Sequence, residues 1–144
     1  MESIQYSSGY KYQMRRDYPY KLPSPFGPFC ARVHVPEPLN PFFLVLPSTA
    51  LYIFRGYAWD GASGPTIDTK SSMRGSLLHD VIYQAIRLEI LPADCRLLAD
   101  LLLYRVLIED KMWPLRAQTW FLMVREFAAS SIEPTAERPI LVAP

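Results

Sequence analysis

One stretch decides the interpretation of this chain: Leu77–Tyr83, with the sequence LLHDVIY. Its apolar residues are typical of a buried helix, yet His79 and Asp80 stand side by side within it. Burying an imidazole and a carboxylate costs free energy unless they are paired or bind a ligand. Tyr83 follows His79 by about one helical turn, and the only other histidine, His34, lies in a Pro-rich extended stretch. His79 is therefore the first candidate for a residue that carries chemistry.

Helical spacing continues around this stretch, over residues 71–129. The apolar residues that define the first helix recur at helical spacing: Leu77, Leu78, Val81, Ile82, Ala85 and Ile86. Pro92 is predicted to be the first residue of a second helix, with Asp94 in its first turn. That second helix is apolar almost all round, so we expect it to lie centrally. Pro114 predicts the start of a third helix, which continues through Phe127.

Residues 1–70 follow a different pattern, with most of the prolines and glycines and many aromatic residues. The prolines exclude long helices and restrict strands to short or edge segments. Three segments are predicted to form strands: Arg32–Val35, Phe42–Leu46 and Leu51–Phe54. The chain is therefore predicted to have an α+β fold, in which a small irregular β region in the N-terminal half packs on three helices in the C-terminal half.

The length of 144 residues predicts a single domain, 1–144, with a core of its own. Within it we distinguish an aromatic and Pro-rich part, 1–49, a motif-bearing core, 50–129, and an extended tail, 130–144. We expect the tail to dock on the surface or on a partner. Hydrophobic residues make up 50% of the chain and charged residues 20%, a balance that argues against disorder.

Several classes of protein are disfavoured by composition. The net charge is +1 and the basic residues are scattered, so no nucleic-acid partner is expected. No apolar run approaches the roughly 20 residues of a membrane-spanning helix, and the first residues lack the pattern of a signal peptide. Cys30 and Cys95 are far apart in sequence, which favours buried thiols in a reduced compartment.

A glycine-rich loop, Gly56–Pro65, precedes the first helix. Its glycines let the backbone turn sharply and present carbonyl or amide groups to a ligand. Asp60 and Ser63 add the oxygen ligands that calcium prefers. Turn formation and helix capping explain both residues almost equally well. A cap of the first helix is predicted from Asp68, Thr69, Ser71 and Ser72.

Asp100 lies in the apolar second helix and therefore needs a partner. The short connection at Leu91–Pro92 makes the first two helices antiparallel neighbours, so Asp100 can face His79 and hold its imidazole in one tautomer. Arg74 would serve equally well as a partner of Asp100. A second interpretation of His79 and Asp80 is a satisfied polar network that fixes the loop to the helices.

Three motifs in order resemble a family of unknown function found mostly in phages and prophages. They are WDGASGP at 59–65, HDVIY at 79–83 and Ala-Asp at 99–100, and the resemblance covers roughly residues 50–127. The chain has Trp59 where that family usually has threonine, and Gly61 where a larger residue is common. We expect these two departures to reshape the loop.

The order of glycine-rich loop, His-Asp-x-x-Tyr helix and Asp-bearing helix is also similar to the active site of secreted phospholipase A2. That resemblance implies that His79 is the general base for water, Asp100 orients it and Tyr83 joins the hydrogen-bond network. It further implies a calcium ion held by Asp80 and by carbonyl groups of the loop that contains Gly61. The chain lacks the cysteines that cross-link those enzymes, and its loop departs from their calcium-loop pattern.

Two functions follow from these patterns. The first is a virion or tail-associated accessory protein, located in the virion or the host cytoplasm, with other phage proteins or a second copy as partners. The N-terminal aromatic composition and the phage resemblance favour it. The alternative is a calcium-dependent hydrolase of lipid or cell-envelope esters, which contacts envelope lipid and uses His79 as general base. In either case the predicted site is centred on His79, Asp80, Asp60 and Asp100.

Overall fold

The computed structural model describes residues 4–6, 11–24, 43–46, 50–61, 67–136 and 141–143. The strands are β1 (Ile4–Tyr6), β2 (Tyr12–Gln13), β3 (Tyr18–Lys21), β4 (Phe43–Leu46), β5 (Ala50–Ile53), β6 (Ala58–Trp59) and β7 (Leu141–Ala143). The α-helices are α1 (Lys70–Arg87), α2 (Cys95–Glu109) and α3 (Pro114–Phe127). Strands thus occupy mainly the N-terminal half and helices the C-terminal half, which confirms the predicted α+β class.

The strands form small antiparallel sheets. The three-stranded sheet has the order β3-β5-β4, so that β5 lies in the middle, with Ile53 opposite both Tyr18 and Phe43. Leu51 and Ile53 on β5 are buried while their neighbours are partly exposed, the alternation expected of a strand with one face on the core. The predicted strands at 42–46 and 51–54 are confirmed to within one residue, whereas the predicted strand at 32–35 lies outside the described residues.

Short strand pairs connect distant parts of the chain. β2 pairs with β6, which brings Tyr12 opposite Trp59, and β1 pairs with β7. The tail was expected to be extended, but it forms 3₁₀ helices at Ala129–Ile132 and Pro134–Ala136 before β7. Hydrogen bonds over three residues, such as Ser131 N–H to Ala128 C=O at 3.1 Å, account for this tighter winding.

Helix α1 begins with the predicted cap. Thr69 is its N-cap residue: the Thr69 N–H donates to Ser72 Oγ at 2.9 Å, and Ser72 Oγ donates back to the Thr69 carbonyl at 2.8 Å. Asp68 has a different role, because its carboxylate accepts a hydrogen bond from the Tyr12 hydroxyl at 2.8 Å. The bond between Tyr12 and Asp68 therefore joins the start of α1 to the β2–β6 pair.

Helix α2 begins at Cys95, three residues later than predicted. The N–H groups of Cys95 and Arg96 each bond at 3.0 Å to carbonyls three residues back, so Pro92 belongs to a turn and Asp94 is the N-cap residue. The helix packs against both α1 and α3, as its apolar character predicted. It passes close to α1 at Gly75, where a Cβ atom would lie 3.0 Å from the Leu107 side chain.

The core has two parts that meet at α2. The larger part joins β3, β4 and β5 to α1 and one face of α2, and the smaller part joins α2 to α3. Three N-terminal tyrosines, Tyr12, Tyr18 and Tyr20, pack against the larger part. Within the described ranges, no helix combines the length and the apolar character needed to cross a membrane.

Candidate functional site

Helix α1 and helix α2 bring His79 and Asp100 together. His79 Nε2 lies 2.8 Å from Asp100 Oδ1, within hydrogen-bond distance, and the Asp100 side chain is fully buried. The predicted pairing is therefore present in the structure. Arg74, the alternative partner, instead contacts Asp110 at 2.7 Å and Glu109 at 3.1 Å.

Asp100 has two further partners, so that all three helices meet at its carboxylate. The Tyr83 hydroxyl donates to Oδ1 at 2.7 Å, as predicted for a member of the network. Arg125 of α3 donates to Oδ2 at 2.6 Å. Sequence reasoning missed Arg125, because a basic residue in the last turn of a helix is ordinarily explained by the helix dipole alone.

Arg96 is a second arginine that the sequence did not single out. Its Nε donates to the Tyr83 hydroxyl at 3.2 Å, and its NH2 group donates to the carbonyls of Val124 and Arg125 at 2.9 and 2.7 Å. Arg96 thus joins the network around Asp100 to the last turn of α3. The exposed carbonyls of a helix C-terminus are favourable acceptors for a guanidinium.

The other edge of the imidazole faces a different environment. His79 Nδ1 lies 3.7 Å from Asp80 Oδ1, which is longer than a hydrogen bond. The Asp80 side chain is 26% exposed and lines a cavity of about 240 Å³, together with His79. Asp100, on the Nε2 side, is not part of that wall. The Nδ1 edge of the ring therefore lies on the side of Asp80, a residue of the cavity wall.

Three parts of the fold form the wall of this cavity. The β6 region contributes Tyr57, Ala58, Trp59 and Asp60; helix α1 contributes His79, Asp80, Tyr83, Gln84 and Arg87; and the end of α3 with the 3₁₀ helices contributes Val124, Ala128, Ser131 and Ala136. The 3₁₀ segment is joined to α1 by the Arg87 guanidinium, which donates to the Ser131 carbonyl at 2.8 Å. Aromatic, charged and small side chains thus surround one space beside the imidazole.

The pKa values of the two carboxylates that flank His79 are shifted in opposite directions. Burial raises the pKa of Asp80, and the neighbouring imidazole offsets this only in part. Burial acts in the same sense on Asp100, but the hydrogen bonds from His79, Arg125 and Tyr83 outweigh it and lower the pKa of that carboxyl. The folded protein therefore stabilises the ionised form of Asp100, whereas it disfavours the ionised form of Asp80.

The pKa of His79 and of Tyr83 are both raised. Burial alone would lower the pKa of His79, but the hydrogen bond with Asp100 and the proximity of Asp80 outweigh it. Burial and the hydrogen bond to Asp100 raise the pKa of Tyr83, so its hydroxyl keeps its proton and remains a donor. The site thus contains an imidazole that is more basic than an ordinary histidine.

The departures from the phage-family motif have structural consequences. Gly61 has a φ of +78°, and a Cβ atom there would lie 2.7 Å from both the Asp68 carboxylate and the Tyr12 ring, so a larger residue does not fit. Trp59 Nε1 donates to Ser76 Oγ at 3.3 Å and fixes β6 to α1. Both residues flank Asp60, which lines the cavity.

The predicted calcium site is only partly described. Asp60 and Asp80 line the same cavity, but Ser63 lies outside the described residues. Among the residues that the structure describes, no group of three His, Cys, Asp or Glu side chains could hold a metal ion. Calcium therefore stays a prediction, which also depends on the loop carbonyls and Ser63.

The described arrangement supports acid–base chemistry. A buried carboxylate holds one nitrogen of an imidazole, and the histidine lines a cavity, as in the histidine–aspartate pairs of hydrolases. The phage-family and phospholipase A2 resemblances stay predictions. No family model matches the chain, and neither the curated proteins nor the solved structures include a significant match to it.

Proposed function

We propose that this protein is a hydrolase that cleaves a carboxylic ester with a water molecule activated by His79. The observation that carries this proposal is that the two nitrogens of the imidazole lie in different environments. Nε2 lies 2.8 Å from the fully buried Asp100, while Nδ1 lies 3.7 Å from Asp80, which lines the cavity together with His79. A histidine with a purely structural role needs no cavity beside it.

The reaction follows from this division. Neutral His79 carries its proton on Nε2, where the N–H donates a hydrogen bond to Asp100. The Nδ1 lone pair is then available to accept a proton from a water in the cavity. As that proton leaves, the water oxygen forms a bond to the ester carbonyl carbon. The tetrahedral intermediate then collapses, and the imidazolium returns the proton to the departing alkoxide, giving an acid and an alcohol. Asp100 stabilises the imidazolium throughout.

Two properties of the site support the role of base. The raised pKa of His79 makes it a stronger proton acceptor than an ordinary imidazole, as long as the pH is high enough to keep it neutral. The fixed hydrogen bond with Asp100 holds the ring in one orientation, which reduces the entropy lost on reaching the transition state. Lipid or cell-envelope esters are the substrate class that the phospholipase A2 resemblance favours. No step here depends on calcium.

Hydrolysis assays with matched variants test the proposal. The wild-type chain is tested on chromogenic acyl esters and on phospholipid vesicles, each with calcium and with chelator. We expect hydrolysis that His79→Gln abolishes and Arg74→Gln leaves unchanged, since Arg74 lies on the same helix but contacts Glu109 and Asp110 instead. Equal hydrolysis by His79→Gln and wild type would contradict the proposal, as would its absence from every ester.

A virion or accessory role is the second candidate, with the virion or the host cytoplasm as its location. It is favoured by large apolar side chains that are exposed on and around α3: Ile67, Trp113, Leu115, Leu122 and Phe127. Exposed apolar side chains are typical of protein contact surfaces when they lie together. Sedimentation of the wild type and of Leu122→Ser over a range of concentrations tests this candidate. Self-association that the substitution weakens supports it, and a monomer in both cases counts against a second copy as the partner.

A further inference from the structure

Arg125 is the contribution of α3 to the network around His79. It donates to Asp100 Oδ2 at 2.6 Å, while Asp100 Oδ1 accepts from both His79 and Tyr83. The two carboxylate oxygens thus have separate partners. Arg125 is 33% exposed in its side chain, whereas Asp100 is fully buried, so the guanidinium reaches inward from the protein surface to this one acceptor.

We propose that Arg125 is a positioning residue for His79, acting through Asp100. This inference rests on the proposed hydrolase function and adds a residue that neither of the two resemblances includes. Arg125 fixes the direction in which Oδ1 faces the imidazole, and it balances the charge of Asp100 while His79 is neutral.

The geometric argument concerns rotation of the carboxylate. The terminal torsion of an aspartate side chain has a broad, twofold preference, so the carboxylate plane is weakly held unless its oxygens have partners. With Arg125 on Oδ2, a turn of the carboxylate breaks a charge-assisted hydrogen bond. Oδ1 therefore stays directed at His79 Nε2, and the ring keeps its Nδ1 edge on the side of Asp80.

The electrostatic argument concerns a buried charge. A fully buried carboxylate needs a compensating cation, and Arg125 is the guanidinium in direct contact with Asp100. With Arg125 present, the carboxylate stays compensated while the imidazole is neutral, the state in which a general base works. Arg96 holds this arrangement together because it bonds both the Tyr83 hydroxyl and the Arg125 carbonyl.

A simple helix-to-helix ion pair is the competing explanation for Arg125. The structure contains such a pair, in which Arg74 of α1 bonds Asp110 just after α2 at 2.7 Å. The Arg74 side chain is 35% exposed, close to the 33% of Arg125. Arg74→Gln is therefore a matched control: it removes an equally exposed arginine that joins two helices but does not touch Asp100.

The experiment compares Arg125→Gln, Arg125→Lys and Arg74→Gln in the full chain. It measures kcat and KM on an ester that the wild type cleaves, and the proton NMR signal of the His79 ring N–H. We expect Arg125→Gln to lower kcat by about tenfold to a hundredfold with little change in KM, because misplaced catalytic groups slow the chemical step. The ring signal should shift or broaden. Arg125→Lys should be intermediate in both readouts, and Arg74→Gln should match the wild type.

Wild-type kcat and an unshifted ring signal in Arg125→Gln would overturn the inference, as would equal effects of Arg125→Gln and Arg74→Gln. If Arg125→Gln does not fold, Arg125→Lys decides alone: a ring signal identical to that of the wild type overturns the inference. The NMR readout needs no substrate. A chain that cleaves no ester would therefore contradict the proposed function while the positioning of the ring is still decided.

Discussion

The two edges of the His79 imidazole lie in contrasting surroundings. On the Nε2 edge, Asp100 is fully buried and accepts hydrogen bonds from His79, Tyr83 and Arg125. On the Nδ1 edge, Asp80 is 26% exposed, lies 3.7 Å from the ring and lines a cavity. One carboxylate is bound on every side by the protein, and the other faces space that a ligand could enter.

This difference assigns Asp100 mainly to the stability of the fold and Asp80 mainly to the chemistry of the site. The lowered pKa of Asp100 means that its ionised form stabilises the folded state at any pH above its ordinary value. The raised pKa of Asp80 means that its ionised form costs stability at neutral pH. Groups kept in the folded protein at such a cost are concentrated at functional sites. Three substitutions and a change of pH test whether the two carboxylates differ in this way.

Asp100→Asn should have the largest effect on stability. It leaves Arg125 without its charged partner and weakens the bond to His79, and breaking a buried ion pair costs roughly 3–5 kcal/mol of unfolding free energy. Chemical denaturation measures this loss. Asp110→Asn is the matched control, since it breaks a partly exposed pair with Arg74 and should cost about 1 kcal/mol or less. Equal losses for the two variants would remove the distinction between the two networks.

His79→Gln should affect activity far more than stability. Loss of a general base typically lowers kcat by about 10²–10⁴-fold. Glutamine can still donate to Asp100, so the loss of unfolding free energy should be smaller than that of Asp100→Asn. Ester hydrolysis and denaturation of the same preparations measure the two effects. An inactive variant as unstable as Asp100→Asn would mean that His79 is mainly a structural residue.

Asp80→Asn should lower activity without loss of stability. Because the raised pKa of Asp80 makes its carboxylate unfavourable in the folded state at pH 7, the amide should leave the unfolding free energy unchanged or increase it. Activity should fall, since Asp80 no longer contributes to the basicity of His79 or to the cavity. Denaturation at pH 7 and hydrolysis rates provide the comparison with Asp100→Asn. A marked loss of stability would place both carboxylates in one structural network.

Changing pH should move stability and activity in opposite directions. Since the pKa of His79 is raised, its contribution to stability is complete below the ordinary value of about 6.5 and is lost as the pH rises through the folded value. Over the same window the imidazole becomes neutral, so hydrolysis should increase. The difference in unfolding free energy between wild type and His79→Gln, measured from pH 5 to pH 9, tests the first trend. A difference that grows with pH would contradict it.

The pairing of His79 with Asp100 could be predicted because it depends on local patterns. Two helices with a short connection are antiparallel, and residues across such a pair run in opposite order. Arg96 lies opposite Tyr83, Asp100 opposite His79, and the 109–110 segment opposite Arg74. Arg74 is five residues before His79, about 7.5 Å along the helix axis, which is why it does not reach Asp100.

Other features depend on tertiary packing that the sequence does not reveal. Arg125 reaches Asp100 only because α3 packs on α2, and no spacing within the chain connects positions 100 and 125. The β2–β6 pair has two residues in each strand, too few to show an alternating pattern. The start of α2 was predicted too early because a proline suited to a first helical turn also suits the turn that precedes one.

Nitrogen-15 NMR of the His79 ring tests most directly which of the two ring nitrogens carries the proton. The chain has two histidines, so His34→Gln assigns the His79 signals. We predict that, above the pKa of His79, Nε2 carries the proton and Nδ1 shows the shift of an unprotonated nitrogen. A ring that keeps its proton on Nδ1 in that range would contradict the proposed role of His79, because Nδ1 would then have no lone pair to accept a proton from water.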